Sequence, residues 1–179
     1  SLITVDDDSP GADSRYRLLE TVRQYARRRL AEHDELDAYL DAHCHYFRSW
    51  PAIWSNHARV MVDADNVLSA LGRAAQVCST QEYVDFLIPM ISALIPTQRE
   101  AQLDALIEEC LQRLGTGPSI ERAKVLAVRG RLRLYAGRTE EMRADALAAL
   151  AIAEPLKADS LVAGALNVLG SSYLMSDPA

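Results

Sequence analysis

The chain opens with a short alternating pattern and then changes to the periodicity of helices. Residues 2–5 are apolar and rich in β-branched side chains, and Arg15–Leu18 alternates between polar and apolar positions. A polar, turn-rich segment at 6–14 separates the two runs, which predicts a β-hairpin. An isolated hairpin is only marginally stable in water. We therefore expect it to pack on the helix that follows, with Tyr16 and Leu18 facing an apolar stripe of that helix.

From residue 36 onward the apolar positions recur at helical spacing. One helix is predicted over 36–49, and two more follow the sequences Ser79-Thr80-Gln81-Glu82 and Thr97-Gln98-Arg99-Glu100. Each of these sequences is a candidate capping box, in which the hydroxyl and the glutamate satisfy exposed backbone amides at the start of a helix. Gly115 predicts the end of the last of these helices.

The region from Ser119 onward has the spacing of a helical repeat. Gly130 and Gly137 stand seven positions apart, as in the first helix and turn of a tetratricopeptide repeat, and Thr139 begins the partner helix. A small residue at position 130 would let that partner approach closely. Gly170, in a leucine–glycine–x–x–tyrosine context, begins a second match whose partner helix is missing. The fold is therefore predicted to be mainly α, a β-hairpin followed by tetratricopeptide-like antiparallel helical repeats forming an α-solenoid.

The composition and charge of the chain are consistent with this fold and indicate where in the cell the protein is expected. Hydrophobic residues make up 49% of the chain but aromatic residues only 6%, a balance typical of alanine- and leucine-rich helices. The net charge of −6 argues against a nucleic-acid-binding surface that covers the protein. Apolar runs fall well short of the roughly 18 residues that span a bilayer, and the first residues lack the pattern of a signal peptide. We expect a cytoplasmic protein whose cysteines, Cys44, Cys78 and Cys110, are free thiols.

The sequence contains no persuasive catalytic or metal-binding motif. His43-Cys44-His45 is the densest group of potential metal ligands, but helix residues two apart point in different directions. The chain has no Gly-x-x-x-x-Gly-Lys-Ser/Thr phosphate loop and no Gly-x-Ser-x-Gly nucleophile motif, and the adjacent carboxylates Glu108 and Glu109 diverge on a helix. We therefore expect no enzyme activity, no metal and no cofactor in this chain.

One segment resembles a known family. Arg15-Tyr16-Arg17-Leu18-Leu19-Glu20-Thr21-Val22-Arg23-Gln24-Tyr25-Ala26 is similar to the segment R-Y-R-L-L-E-T-x-R-x-Y-A of actinobacterial signalling ATPases of the STAND type, which include LuxR-like and adenylate-cyclase-like transcriptional regulators. His43-Cys44-His45-Tyr46-Phe47 fits a second family motif, H-x-x-Y-F. The sequence from Asp63 to Leu71 resembles a third, E-x-D-N-L-x-A-A-L. Residues 50–61, between the second and third matches, depart from the family pattern.

The resemblance implies a division into three parts. Residues 1–34 would be the β-hairpin and helix that close a winged-helix region, 35–118 a helical linker with the first helical repeats, and 119–179 tetratricopeptide-like repeats with the last one truncated. The chain would be the sensory and protein-interaction arm of such a regulator. ATP and magnesium would bind only in an upstream domain. The implied partners are that nucleotide-binding domain and a protein or small-molecule inducer, without direct contact with nucleic acid or membrane.

The resemblance also places the candidate site residues. In tetratricopeptide repeats the first helix of each unit lines a groove, and the register from Gly130 carries this role to two sets of residues. These are Lys124, Arg131 and Tyr135 in one unit, and Asn167 and Ser171 in the next. The cations of the first set would suit an anionic peptide or a ligand carboxylate.

Other interpretations remain open at the level of sequence. Arg23 and Arg27 are candidates for a contact with the nucleotide-switch region, although a solvated helix face is the simpler interpretation. The truncated last repeat would leave an apolar helix face uncovered, which predicts self-association. The main alternative function is a free-standing helical-repeat adaptor that binds a protein or peptide. The remaining alternative function is that of a small enzyme that uses His43 and His45.

Overall fold

The computed structural model describes residues 3–6, 15–50 and 57–176 and is mainly α-helical. This described part contains two short strands, nine α-helices and one 3-10 turn. The chain divides into two compact units, Ser1–His43 and Cys44–Ala179. That division falls inside a helix, and the predicted divisions after residues 34 and 118 stay predictions.

The first unit contains the two strands and the first helix. Strand β1 (Ile3–Asp6) pairs antiparallel with β2 (Arg15–Leu18), and α1 (Glu20–Glu32) follows with one residue between. The unit also includes the first part of α2 (Leu36–Arg48). The predicted turn-rich tip at 7–14 lies outside the described residues, and the assignment of the strands to a winged helix stays a prediction.

The predicted burial of β2 against α1 is wrong. Leu18 is 48% exposed, Tyr16 and Tyr25 are more exposed still, and no residue of α1 is buried. The physical reason is the composition of α1, in which charged and polar residues outnumber the few apolar residues of the stripe. Pairs within the helix stabilise it instead, as between Arg23 and Glu20 at 2.6 Å.

The second unit is built from the rest of α2 and seven further helices. Their bounds are α3 (His57–Val62), α4 (Ala64–Val77), α5 (Thr80–Leu94), α6 (Glu100–Leu114), α7 (Ile120–Tyr135), α8 (Thr139–Ala153) and α9 (Asp159–Ser176). Helices adjacent in the chain contact each other, as in the pairs α5 with α6 and α7 with α8. Contacts also join α3 to α5, α5 to α7 and α7 to α9. Each odd-numbered helix from α3 therefore packs on the next.

The core of the second unit is apolar and rich in small residues. Its largest fully buried side chains include Leu71, Tyr83 and Ile107. Between α7, α8 and α9 the buried residues are mostly alanine and valine, which allow close approach of the helices. The side chains of Cys44, Cys78 and Cys110 are all buried, and none of the three forms a disulfide bond with another.

Two glycines have the structural roles that the repeat spacing predicted. A Cβ atom at Gly130 would lie 3.5 Å from the Cβ of Asp145 and 3.5 Å from the carbonyl oxygen of Met142, so α7 and α8 pack closely at this point. Gly137 has a φ of +73°, a backbone conformation that favours glycine, in the turn before α8. Gly170, in contrast, is exposed, and an added Cβ would meet no described atom within 4 Å.

The close packing of α7 and α8 at Gly130 predicts different effects on stability for a small and a large side chain at this position. We expect Gly130→Ala to leave stability unchanged or to raise it by up to about 1 kcal/mol, because its methyl group would sit at ordinary contact distance and alanine favours helix. Gly130→Leu should instead lower stability by about 1–3 kcal/mol by forcing α8 away. Urea unfolding of both variants tests this, and equal stabilities would contradict the close packing.

The two candidate capping boxes have different outcomes. At the start of α5 the Ser79 side chain accepts from the Glu82 amide and the Glu82 carboxylate accepts from the Ser79 amide, which confirms the first box. The second box is wrong, because α6 begins after Arg99 and has no side-chain cap. The Thr97 hydroxyl donates to the carbonyl of Leu94 instead, in the 3-10 turn Ile95–Thr97.

The confirmed box predicts a dependence of stability on pH. Hydrogen bonds from Ser79 and then Arg48 lower the pKa of Glu82 to about 2, below its ordinary 4.5. The stabilisation is therefore complete above about pH 4.5 and disappears as the pH falls towards 2. We expect Glu82→Gln to lower the melting temperature at pH 7, and the difference from the natural chain to close near pH 2. A difference that stays constant across this range would contradict the assignment.

Candidate functional site

Three of the predicted groove residues share one face of α7. Lys124, Arg131 and Tyr135 follow one another at spacings of seven and four, which place side chains on the same side of a helix. Lys124 and Arg131 are half-buried, and Tyr135 is 72% exposed. On the neighbouring α5, Ser92 contacts Arg131. We call these four residues the Arg131 surface.

The Arg131 guanidinium is held in place by a single hydroxyl group. Its Nη2 donates to Ser92 Oγ, and the Ser92 hydroxyl donates in turn to the carbonyl of Ile88 at 2.8 Å. The Nε of Arg131 is buried and has no hydrogen-bond partner in the part of the chain that the structure describes. Burial lowers the pKa of Arg131, and Tyr135 opposes this shift. Within the described part of the chain, no carboxylate pairs with this arginine.

The neighbouring arginines on α7, in contrast to Arg131, are paired with carboxylates. Asp145, on α8, is only 3% exposed, and its two oxygens lie 2.7 Å from Nη2 of Arg129 and 2.7 Å from Nη1 of Arg133. Arg129 also pairs with Glu108 of α6 at 2.8 Å. Burial is the largest single influence on the pKa of Arg129 and lowers it, but hydrogen bonding to Asp145 and the charges of the nearby carboxylates together outweigh burial, so the pKa is raised. This network connects α6, α7 and α8.

A second charged cluster surrounds Arg138, just before α8. Its Nη1 lies 2.7 Å from Glu100 and 3.1 Å from Asp104, and its Nη2 pairs with Glu141. Hydrogen bonds to these carboxylates raise the pKa of Arg138. Arg138, Glu100 and Asp104 line an open depression of about 530 Å³ along α6. Arg138 therefore connects α6 with the start of α8, while Oδ1 of Asp104 is buried and has no hydrogen-bond partner among the described residues.

The remaining predicted groove residues lie on α9. Asn167 is exposed, and the half-buried Ser171 donates its hydroxyl to the Asn167 carbonyl at 3.0 Å. Helix α9 contacts α7, so the two sets are on neighbouring helices. The hydroxyl of Ser171 is thus engaged within its own helix. Leu166, 52% exposed, lies on the same helix, and the predicted self-association through it stays a prediction.

The two predicted switch residues lie on the surface of the first unit. Arg23 and Arg27 are both exposed, and Arg23 forms its ion pair with Glu20. Their position four residues apart places them on one side of α1.

The histidine and cysteine cluster does not form a shared site. Cys44 is buried, His45 is exposed, and burial lowers the pKa of the half-buried His43. Among the residues that the structure describes, no three His, Cys, Asp or Glu side chains are grouped so as to hold a metal ion. In the same residues, no helix has both the length and the apolar character needed to cross a membrane.

Sequence reasoning missed two residues of this region. Asp145 lies between Met142, Ala146 and Ala149, which form the buried stripe of α8, so helical periodicity could have identified it as a buried charge. Ser92 carries no such signal, because its contact with Arg131 joins residues 39 positions apart. Comparison of the chain with protein families, with curated proteins and with solved structures found no match.

Proposed function

We propose that the chain is the non-catalytic sensory and protein-interaction arm of a STAND-type transcriptional regulator. The observation that carries the proposal is the segment from Arg15 to Ala26, which resembles the family's junction between winged helix and helical repeats. In this chain the segment runs from β2 into α1 and precedes a series of packed helices. ATP and magnesium would bind in an upstream domain of the same protein.

The helix contacts support a repeat domain in this role. Successive pairs such as α5 with α6 and α7 with α8 contact internally, and each first helix packs on the next first helix. In tetratricopeptide-like solenoids this stacking produces an extended surface from the first helices, which is used for binding. The close α7–α8 packing at Gly130 and the turn at Gly137 support the same assignment.

Regulation would follow from differential binding. A ligand on the arm shifts the nucleotide switch only if it binds the arm more tightly in one state of the whole protein than in the other. Such coupling between sites is typically 5- to 150-fold in affinity. The exposed arginines Arg23 and Arg27 lie on α1, within and directly after the segment that resembles the family, and are the candidates for the contact that differs between states.

The proposal is tested by nucleotide release from the full-length protein. We expect the double variant Arg23→Ala, Arg27→Ala to change the rate of ADP release at least about fivefold if these residues stabilise one state. Lys157→Ala removes an exposed cation after α8 and serves as the control. A full-length protein without a phosphate-binding loop, or equal release rates in all three proteins, would contradict the proposal.

The alternative is a free-standing helical-repeat adaptor that binds a protein or peptide. Arg131, which has no carboxylate partner among the described residues, is compatible with this function too, because binding at this surface needs no nucleotide domain. The coding sequence upstream of Ser1 distinguishes the two. A phosphate-binding loop there supports the regulator, and its absence supports the adaptor.

A further inference from the structure

We propose that the Arg131 surface binds an acidic peptide whose carboxylates are three residues apart, one on Arg131 beside Ser92 and the other on Lys124. This inference deepens the proposed function, because it names the class of partner that the arm takes. It rests on the geometry of α5 and α7 rather than on the resemblance.

The environment of the Arg131 guanidinium differs from that of the two neighbouring arginines on α7. Arg129 and Arg133, on the other side of α7, share the buried carboxylate of Asp145. Arg131 is half-buried as well, but its one described partner is the neutral Ser92. Partly desolvating a charge without a counterion is unfavourable. A bound anion would supply the missing counterion and so offset this unfavourable free energy.

The N–H groups of Arg131 that remain free suit a carboxylate in number and direction. Ser92 orients the guanidinium through Nη2, and Nε is turned into the protein. Nη1 has no partner within the described residues, so together with the second N–H of Nη2 it forms a free end of the planar fork. Two parallel N–H groups match the two oxygens of a carboxylate. The exposed ring of Tyr135, one turn away, offers an aromatic surface to neighbouring side chains of the ligand.

The spacing of Lys124 and Arg131 favours a peptide with two spaced carboxylates over a single phosphate group. Lys124 stands seven residues before Arg131, which places it about 10 Å away along the helix axis. A single phosphate dianion would have to be reached by both side chains across this separation, whereas two anionic groups at the same spacing match the two cations one to one. Residues i and i+3 of a peptide in polyproline II conformation face the same side and are about 9 Å apart. Two glutamates at this spacing would therefore match Lys124 and Arg131 together.

The experiment is a fluorescence-anisotropy titration of the 179-residue chain. The probes are labelled peptides that contain Glu-x-x-Glu on several backgrounds, and the same peptides rearranged to Glu-Glu-x-x with equal charge. We expect saturable binding of the first set, at least about tenfold tighter than of the second. A third set carries one phosphoserine in place of the two glutamates. Absence of saturable binding by every Glu-x-x-Glu peptide, or a preference for phosphoserine, would overturn the inference.

Variants of the protein connect the binding to named residues. Arg131→Gln should weaken the Glu-x-x-Glu peptide at least about tenfold, and Lys124→Gln should remove the preference for spacing. Lys157→Gln, which removes one exposed positive charge elsewhere, is the matched control and should bind as the natural chain does. Equal weakening by the control would mean general charge attraction and would contradict a site.

A second measurement remains informative if Arg131→Gln unfolds. In the natural chain, the Nε–H signal of Arg131 in ¹⁵N NMR should shift on addition of the Glu-x-x-Glu peptide, while that of Arg129 stays in place. An unshifted Arg131 signal in the presence of bound peptide would place the ligand elsewhere and overturn the inference. Because this assay contains no nucleotide, its failure is separate from failure of the nucleotide-release experiment.

Discussion

Replacing Asp145 with asparagine should destabilise the chain by about 3–5 kcal/mol. The substitution keeps the shape of the side chain but removes the buried carboxylate that Arg129 and Arg133 share between α7 and α8. The two arginines then keep only their more exposed partners, Glu108 and Glu141. Loss of one partner of a buried ion pair is far more harmful than loss of an exposed one. Urea unfolding followed by circular dichroism measures the change.

The chain offers a matched control for this substitution. Asp65 also pairs with an arginine, Arg99, but its side chain is largely exposed to solvent. We expect Asp65→Asn to change stability by no more than about 1 kcal/mol, the range of surface ion pairs. Similar effects of the two substitutions would show that Asp145 is not the buried centre of the network.

The second large effect is expected in the apolar core. Leu71, on α4, is 0% exposed, and Leu71→Ala should lower stability by about 2–5 kcal/mol because it removes buried methyl groups and leaves a cavity. The identical substitution at Leu166, which is 52% exposed, should change stability by about 0.5 kcal/mol or less. Comparable losses at the two positions would contradict the packing described for the second unit.

Much of the helical arrangement follows from local signals in the sequence. Ser79 and Glu82 specify the start of α5 because they satisfy backbone amides within four residues of one another. Gly137 specifies the turn before α8 because its positive φ suits glycine. Signals of this kind depend on neighbouring residues alone and can be interpreted without knowledge of the tertiary structure.

Other features depend on partners that are distant in sequence. Thr97 and Glu100 have the spacing of a capping box, but Glu100 pairs with Arg138, 38 positions away, and Thr97 lies in the 3-10 turn. The role of Ser92 also depends on a residue distant in sequence, because its contact with Arg131 requires α5 and α7 to be adjacent. Burial of the apolar stripe on α1 was predicted wrongly because periodicity does not show whether a second surface exists to cover it.

The arginines of α7 show how periodicity and environment combine. Arg129 and Arg133 are four apart and lie on one side of the helix, and Arg131, two residues from each, lies on nearly the opposite side. One side of α7 therefore holds the helices together through Asp145, and the other presents an arginine with no carboxylate partner among the described residues. A single helix thus carries both the stabilising network and the candidate binding surface.

The central claim, that this chain is the arm of a nucleotide-switched regulator, is tested most directly by calorimetric titration of ATP with magnesium. The titration is run on the full-length protein and, separately, on the 179-residue chain. We expect saturable binding by the full-length protein and none by the chain alone, which lacks the amide cradle, lysine and hydroxyl of a phosphate-binding loop. Saturable binding by the 179-residue chain itself, or no binding by the full-length protein, would contradict the account.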